Sequence, residues 1–138
     1  ADAAQLPGSG AAGGLGFGLH CFANAELQSG FELFAHTVRL VEKLAEADIV
    51  ITGEGGMDRQ TVMGKGVGEL AKLARQHDCR CLAFAGTVSD EATLESYFEQ
   101  CSSLTELTSC TEAIAHPARW LQALAQRAAE HLTETEPN

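Results

Sequence analysis

Phe31, Phe34, Val38, Val41 and Leu44 recur at three- and four-residue steps through FELFAHTVRLVEKLAEA, the spacing of one face of an amphipathic helix. The period then changes. DIVITGEGG sets β-branched residues side by side and ends in glycines, the pattern of a buried parallel strand feeding a loop. After MDRQTVMGK the helical period returns in GVGELAKLARQH, with Val67, Leu70 and Leu73 or Ala74 expected to face inward. RCLAFAG reads as a second buried strand, and SDEATLESYFEQ as a helix opened by a serine-aspartate cap and an acidic first turn. SSLTEL is a weaker third strand. TEAIAHPARWLQALAQRAAEHL closes the chain as helix, with Pro117 marking a break or a fresh start. Upstream, AAGGLGFGLHCFANA (Ala11 to Ala25) is small, apolar and free of proline, and reads as helix despite its glycines. Each of those glycines costs about 1 kcal/mol against alanine, so close approach of another backbone or a ligand is the expected compensation.

The order helix, helix, strand, helix, strand, helix, strand, helix predicts an α/β fold. It implies a parallel sheet with right-handed crossovers and helices on both faces, a Rossmann-like three-layer α/β/α arrangement. The strand containing Ile49 to Thr52 is expected at the centre of that sheet. Three strands make a thin sheet, and the chain opens at Ala1 rather than Met. Both features fit a piece of a larger α/β protein. Residues 1–132 are read as the α/β portion and the TETEPN tail, 133–138, as disordered.

The formal charge of -10 argues against nucleic acid as a partner, because phosphate backbones are bound through basic faces. It leaves room for a small phosphorylated ligand held locally by lysine and helix N-termini. No apolar run is long enough for a bilayer and no basic leader is visible, so the expectation is a cytoplasmic protein without a membrane partner. Five cysteines lack both the paired spacing of a disulfide framework and the ligand spacing of a zinc site, which points to buried free thiols. Trp120, at helical spacing from Leu124, reads as core.

Gly8, Gly10 and Gly13 spell G-x-G-x-x-G, yet the preceding ADAAQLP offers no strand. Glu32, about 20 residues on, falls in a helical pattern, so a dinucleotide fingerprint is not supported. The richest stretch is VITGEGGMDRQTVMGKGVGEL. Thr52, Glu54 and Asp58 are placed beyond a strand's carboxyl end, where open α/β sheets bind ligands. Lys65 directly precedes a helix and with its free amides favours an anion. Carboxylates beside an anion call for a cation between them, and magnesium bridging a nucleotide phosphate meets that need. The plainer alternative is a solvated loop in which Asp58 caps a turn. A P-loop is excluded, because glycine would be needed where Arg59 stands.

PGSGAAGGLGFGL, ELQSGFEL, ADIVITGEGGMDRQTVMGKG and FAGTVSD, in this order, resemble the class I glycerate kinases. That family's pattern runs P-G-[AS]-G-A-A-G-G-L-G-F, then a strand ending I-T-G-E-G, then D-x-Q-[TS]-x-x-G-K. The resemblance implies ATP-dependent, magnesium-requiring phosphorylation of D-glycerate on a two-domain α/β scaffold with its site between domains. It implies catalytic roles for Asp58 and Lys65, and metal binding by Glu54 and Asp58. Substrate or phosphate contacts would come from Gly8, Ser9, Gly10, Gly13, Thr52, Gly53, Gln60, Thr61 and Gly64. The implied partners are glycerate and ATP, an amino-terminal portion of the enzyme, and a second copy of the chain. A carboxy-terminal segment of this kind is expected to be inactive alone. A non-catalytic α/β module that binds an anion or small molecule is the alternative.

Overall fold

The computed structural model describes residues 2–64 and 66–134, in two compact units, Ala1–Leu40 and Val41–Asn138. In the first unit, a 3-10 turn at Ala3–Gln5 is capped by Asp2, whose carboxylate accepts the Ala4 N–H. Helix α1 (Ala11–Ala23) departs from the sequence expectation at its start. Ala12, Gly13 and Gly14 all have positive φ, so regular helix begins only at Leu15. The glycines there serve a left-handed turn that side chains rarely adopt. Gly16 has the expected reason for lacking a side chain, since a Cβ would stand 2.5 Å from the Gly8 carbonyl oxygen. Gly18 faces open space.

The second helical pattern is not one helix. Helix α2 (Gly30–Thr37), capped by Ser29, stops where Arg39 turns left-handed at φ 54, and α3 (Leu40–Ala45) starts afresh. The Thr37 hydroxyl donates back to the Leu33 carbonyl, a bond that bends helices. Of the expected apolar face only Leu44 is buried, while Phe34 and Val41 are exposed.

The second unit holds a parallel sheet in the order β1-β2-β3. Its strands are β1 (Ile49–Met57), β2 (Arg80–Val88) and β3 (Gln100–Ser103). Ile49 pairs with Arg80 and Met57 with Val88, while Leu82 pairs with Gln100 and Ala85 with Ser103. The central strand is therefore β2, and β1 lies at an edge of the described sheet, against expectation. Each crossover adds its strand on the same side, which leaves the first strand outermost.

A further correction concerns the glycines of β1, which continue the strand instead of ending it. A Cβ on Gly53 would overlap the Phe84 carbonyl oxygen, and one on Gly86 would stand 2.5 Å from that of Gly55. Glycine here permits two backbones to approach across the ladder.

Helix α4 (Gly66–Gln76) packs on β1, β2 and the turn between β1 and itself; its buried residues are Gly68, Ala71 and Ala74, and Val67, Leu70 and Leu73 are only half-buried. Small residues form the buried stripe because the helix lies close to its neighbours. The helix expected after Ser89 is a single turn, α5 (Glu91–Leu94), and Asp90 precedes it without a side-chain cap. The Ser89 N–H instead donates to the Met57 carbonyl at 2.9 Å, tying the ends of β1 and β2 together. Helix α6 (Cys110–Ala115) is capped by Ser109, and α7 (Pro117–Glu134) starts at the proline, where its missing N–H is harmless. The expected disordered tail overlaps the last residues of α7, and 135–138 lie outside the described residues. Phe84, Leu104, Ala113, Leu124 and Ala128 form a core cluster, against which Trp120 packs as expected. No helix among the described residues is long and apolar enough to cross a membrane.

All five cysteines are free. Cys79 and Cys81 are buried, but Cys21 and Cys110 are exposed, which corrects the expectation of uniformly buried thiols. Burial pushes the thiols of Cys81 and Cys101 up to about 11 from an ordinary 9.0. In that window the folded state holds protons that the unfolded chain releases, so these thiols reduce stability as pH rises from about 9 toward 11. We expect an aromatic disulfide reagent at pH 8 to label Cys21 and Cys110 quickly. Cys79, Cys81 and Cys101 should react only after denaturation. Rapid labelling of more than two thiols would contradict this packing.

Candidate active site

The second half of β1 and the turn after it form one hydrogen-bonded assembly. Met57 anchors the strand end with 1% of its surface exposed. Asp58 then caps a 3-10 turn at Arg59–Val62, its Oδ1 accepting the Gln60 N–H at 2.7 Å. The Asp58 N–H donates to Thr61 Oγ1 at 3.2 Å, which completes a reciprocal capping box. The Thr61 hydroxyl in turn donates to Glu54 Oε1 at 2.5 Å. Glu54 and Asp58, four residues apart in sequence, are thus joined through one threonine.

Helix α4 is held tightly against this turn. A Cβ on Gly68 would overlap the Thr61 carbonyl oxygen and stand 2.7 Å from Val62 Cα. Gly64, with φ +99, makes the bend before the helix. Glu69 in the first turn of α4 pairs with Lys72 at 2.7 Å, so its charge is partly offset near that helix end. Lys65 itself lies outside the described residues.

Thr52, Glu54 and Asp58 are half-buried, Gly53, Gln60 and Gly64 are exposed, and Thr61 is fully buried. Ile51 to Glu54 also line an open cavity of about 500 Å3, bordered by Phe84 and Leu104 and by Pro117, Ala118 and Leu121 of α7. The lining is mainly apolar, and Glu54 is its charged member. No cluster of three or more metal-type side chains occurs among the described residues. Magnesium needs fewer, because it takes one or two carboxylates and completes its shell with water and phosphate oxygens. The hard oxygens of Glu54 and Asp58 suit it, each carboxylate spending one oxygen on the protein.

Gly8, Ser9, Gly10 and Gly13 belong to the first unit. Gly8 and Gly13 have positive φ, at 87 and 69, and Gly10 is the N-cap of α1. The Ser9 hydroxyl donates its proton to the Ala4 carbonyl at 2.9 Å, which employs it within the turn. The part played by Thr61 escaped the sequence reading, although D-x-x-T at the start of a turn carries the capping signal. Phe84 and Leu121 had no local signal at all, since only the tertiary fold brings them beside β1.

The glycerate kinase family profile matches residues 1–133. A glycerate kinase of Halalkalibacterium halodurans is 43% identical over 105 residues, covering 75% of this chain and 28% of that protein. A glycerate 2-kinase of Escherichia coli K12 is 38% identical over 90 residues, 65% of this chain and 24% of that protein. A solved structure described as a glycerate kinase 2 from Salmonella typhimurium LT2 aligns with a TM-score of 0.53 at 36% identity. That alignment covers 71% of this chain and 25% of the other. The parallel sheet and the capped turn after β1 both lie within the residues matched by that profile. This chain belongs to the glycerate kinase family, and it spans about a quarter of the length of these curated relatives.

Proposed function

We propose that the chain is the carboxy-terminal part of a phosphotransferase that moves the terminal phosphoryl group of ATP to a hydroxyl of D-glycerate. The observation that supports this most directly is the Glu54–Thr61–Asp58 assembly at the end of β1, immediately before Lys65 and α4, in a chain of this family. Glu54 and Asp58 would hold magnesium, which when bound offsets the charge of the transferring phosphoryl group. The free amides at the start of α4 and the Lys65 ammonium would donate hydrogen bonds to phosphate oxygens. Thr52, Gly53, Gln60 and Gly64, together with Gly8, Ser9, Gly10 and Gly13, remain the proposed substrate and phosphate contacts.

Phosphoryl transfer gains most of its rate from holding donor and acceptor in line. A chain spanning about a quarter of its relatives is proposed to supply only part of that alignment. We expect the purified 138-residue chain to give no glycerate-dependent ADP release. A polypeptide that carries the remainder of the enzyme as well should give it. Turnover by the short chain would show a complete site, and no turnover by the longer polypeptide would sink the kinase reading. A second reading, which the mainly apolar lining of the cavity beside β1 favours, is a binding module without chemistry. Calorimetric binding of magnesium-ATP, with turnover absent in both polypeptides, would establish that one.

A further inference from the structure

Thr61 has 0% of its surface exposed, so no substrate reaches it in this arrangement. Its hydroxyl is nevertheless fully employed, donating to Glu54 Oε1 at 2.5 Å and accepting the Asp58 N–H at 3.2 Å. A buried threonine is commonly satisfied by a nearby backbone carbonyl. Here the acceptor is a half-buried carboxylate seven residues back, on another element, and a hydroxyl bond to an ionised oxygen is among the stronger kinds. The threonine is itself fixed in place. Val62 beside it is buried, and Gly68 lets α4 lie directly against its carbonyl.

We infer, on the phosphotransferase reading above, that Thr61 is a positioning residue acting through Glu54. By holding one carboxylate oxygen it sets the direction of the other, and it couples that direction to the turn leading into α4. This replaces the substrate contact that the family resemblance implies for Thr61.

Two measurements test it. The first uses the 138-residue chain and needs no activity. The Thr61 hydroxyl proton should give a slowly exchanging NMR signal in the native chain, lost in Glu54→Ala while the fold persists. Absence of that signal in the native chain, or its survival in Glu54→Ala, overturns the inference.

The second uses the polypeptide that phosphorylates glycerate. Thr61→Val should lower kcat by roughly 10- to 100-fold, the scale of a misplaced catalytic group, with the KM for glycerate nearly unchanged. Thr61→Ser, which keeps the hydroxyl, should restore most of kcat. Once Glu54 is glutamine, Thr61→Val should cost little more, because its effect passes through Glu54. If Glu54→Gln keeps a measurable but reduced kcat and Thr61→Val multiplies that loss, the positioning role fails and the kinase reading stands. If Glu54→Gln keeps full activity, the assigned site fails and the positioning role with it. If Thr61→Val does not fold, Thr61→Ser and the hydroxyl signal decide: loss of kcat in the serine variant overturns the inference.

Discussion

Gly68→Ala is expected to cost roughly 2–3 kcal/mol or more of folding stability, the range for forcing atoms into a packed site. The added Cβ would overlap the Thr61 carbonyl oxygen and crowd Val62 Cα. Both are backbone atoms of a capped turn and cannot rotate away, so the helix or the turn must move. Against a typical total of about 5–15 kcal/mol, that loss should lower the melting temperature sharply and reduce soluble yield. Gly66→Ala is the control, because a Cβ there meets nothing within 4 Å. It should change stability by no more than about 0.5 kcal/mol. Equal melting curves for the two variants would mean that α4 does not lie against Thr61 as described. A turn displaced by Gly68→Ala would also release Glu54 from the threonine, so surviving protein should show reduced activity in the complete enzyme.

Lys65→Ala in the complete enzyme is expected to lower kcat/KM by roughly 10² or more, about 2.7 kcal/mol, the scale of losing one preorganised donor to a transition state. The lysine stands in sequence between Gly64, which makes the bend, and Gly66, the first residue of α4. An ammonium at that position adds to the helix-end amides in neutralising a phosphate. The nearby negative charge of Glu69 is engaged by Lys72, which lessens its opposition to an anion. Folding should be nearly unaffected by Lys65→Ala, because a loop charge contributes little to stability. Lys72→Ala is the matching control. That side chain pairs with Glu69 and lies 5.9 Å from the centre of the Tyr97 ring, so its loss should lower kcat/KM far less than the loss of Lys65, only as far as the freed Glu69 charge opposes an anion. Full activity in Lys65→Ala, or a collapsed melting curve, would remove the lysine from the phosphate site.

The alternation of strand and helix was decided by the sequence alone, because period-2 and period-3.6 patterns bury different sets of side chains. Pro117 marked the start of α7 for an equally local reason, its missing N–H being harmless only in a first turn. The residues of the Glu54 to Asp58 stretch were legible too, since glycine, carboxylate and turn former stand together in a short span of chain. What they do there was not legible. Gly53 looked like a loop residue, and only the pairing of β1 with β2 shows that a side chain there, or on Gly86, would have separated two backbones. The edge position of β1 likewise depends on the direction in which each crossover adds its strand, which no local pattern carries. The buried stripe of α4 ran through Gly68, Ala71 and Ala74, not the larger apolar residues, because closeness to a neighbouring backbone outweighed side-chain size. For Thr61 the sequence supplied a hydroxyl in a turn. Tertiary structure supplied its burial and its carboxylate partner, since a hydrogen bond between strand and turn exists only when both elements are in place.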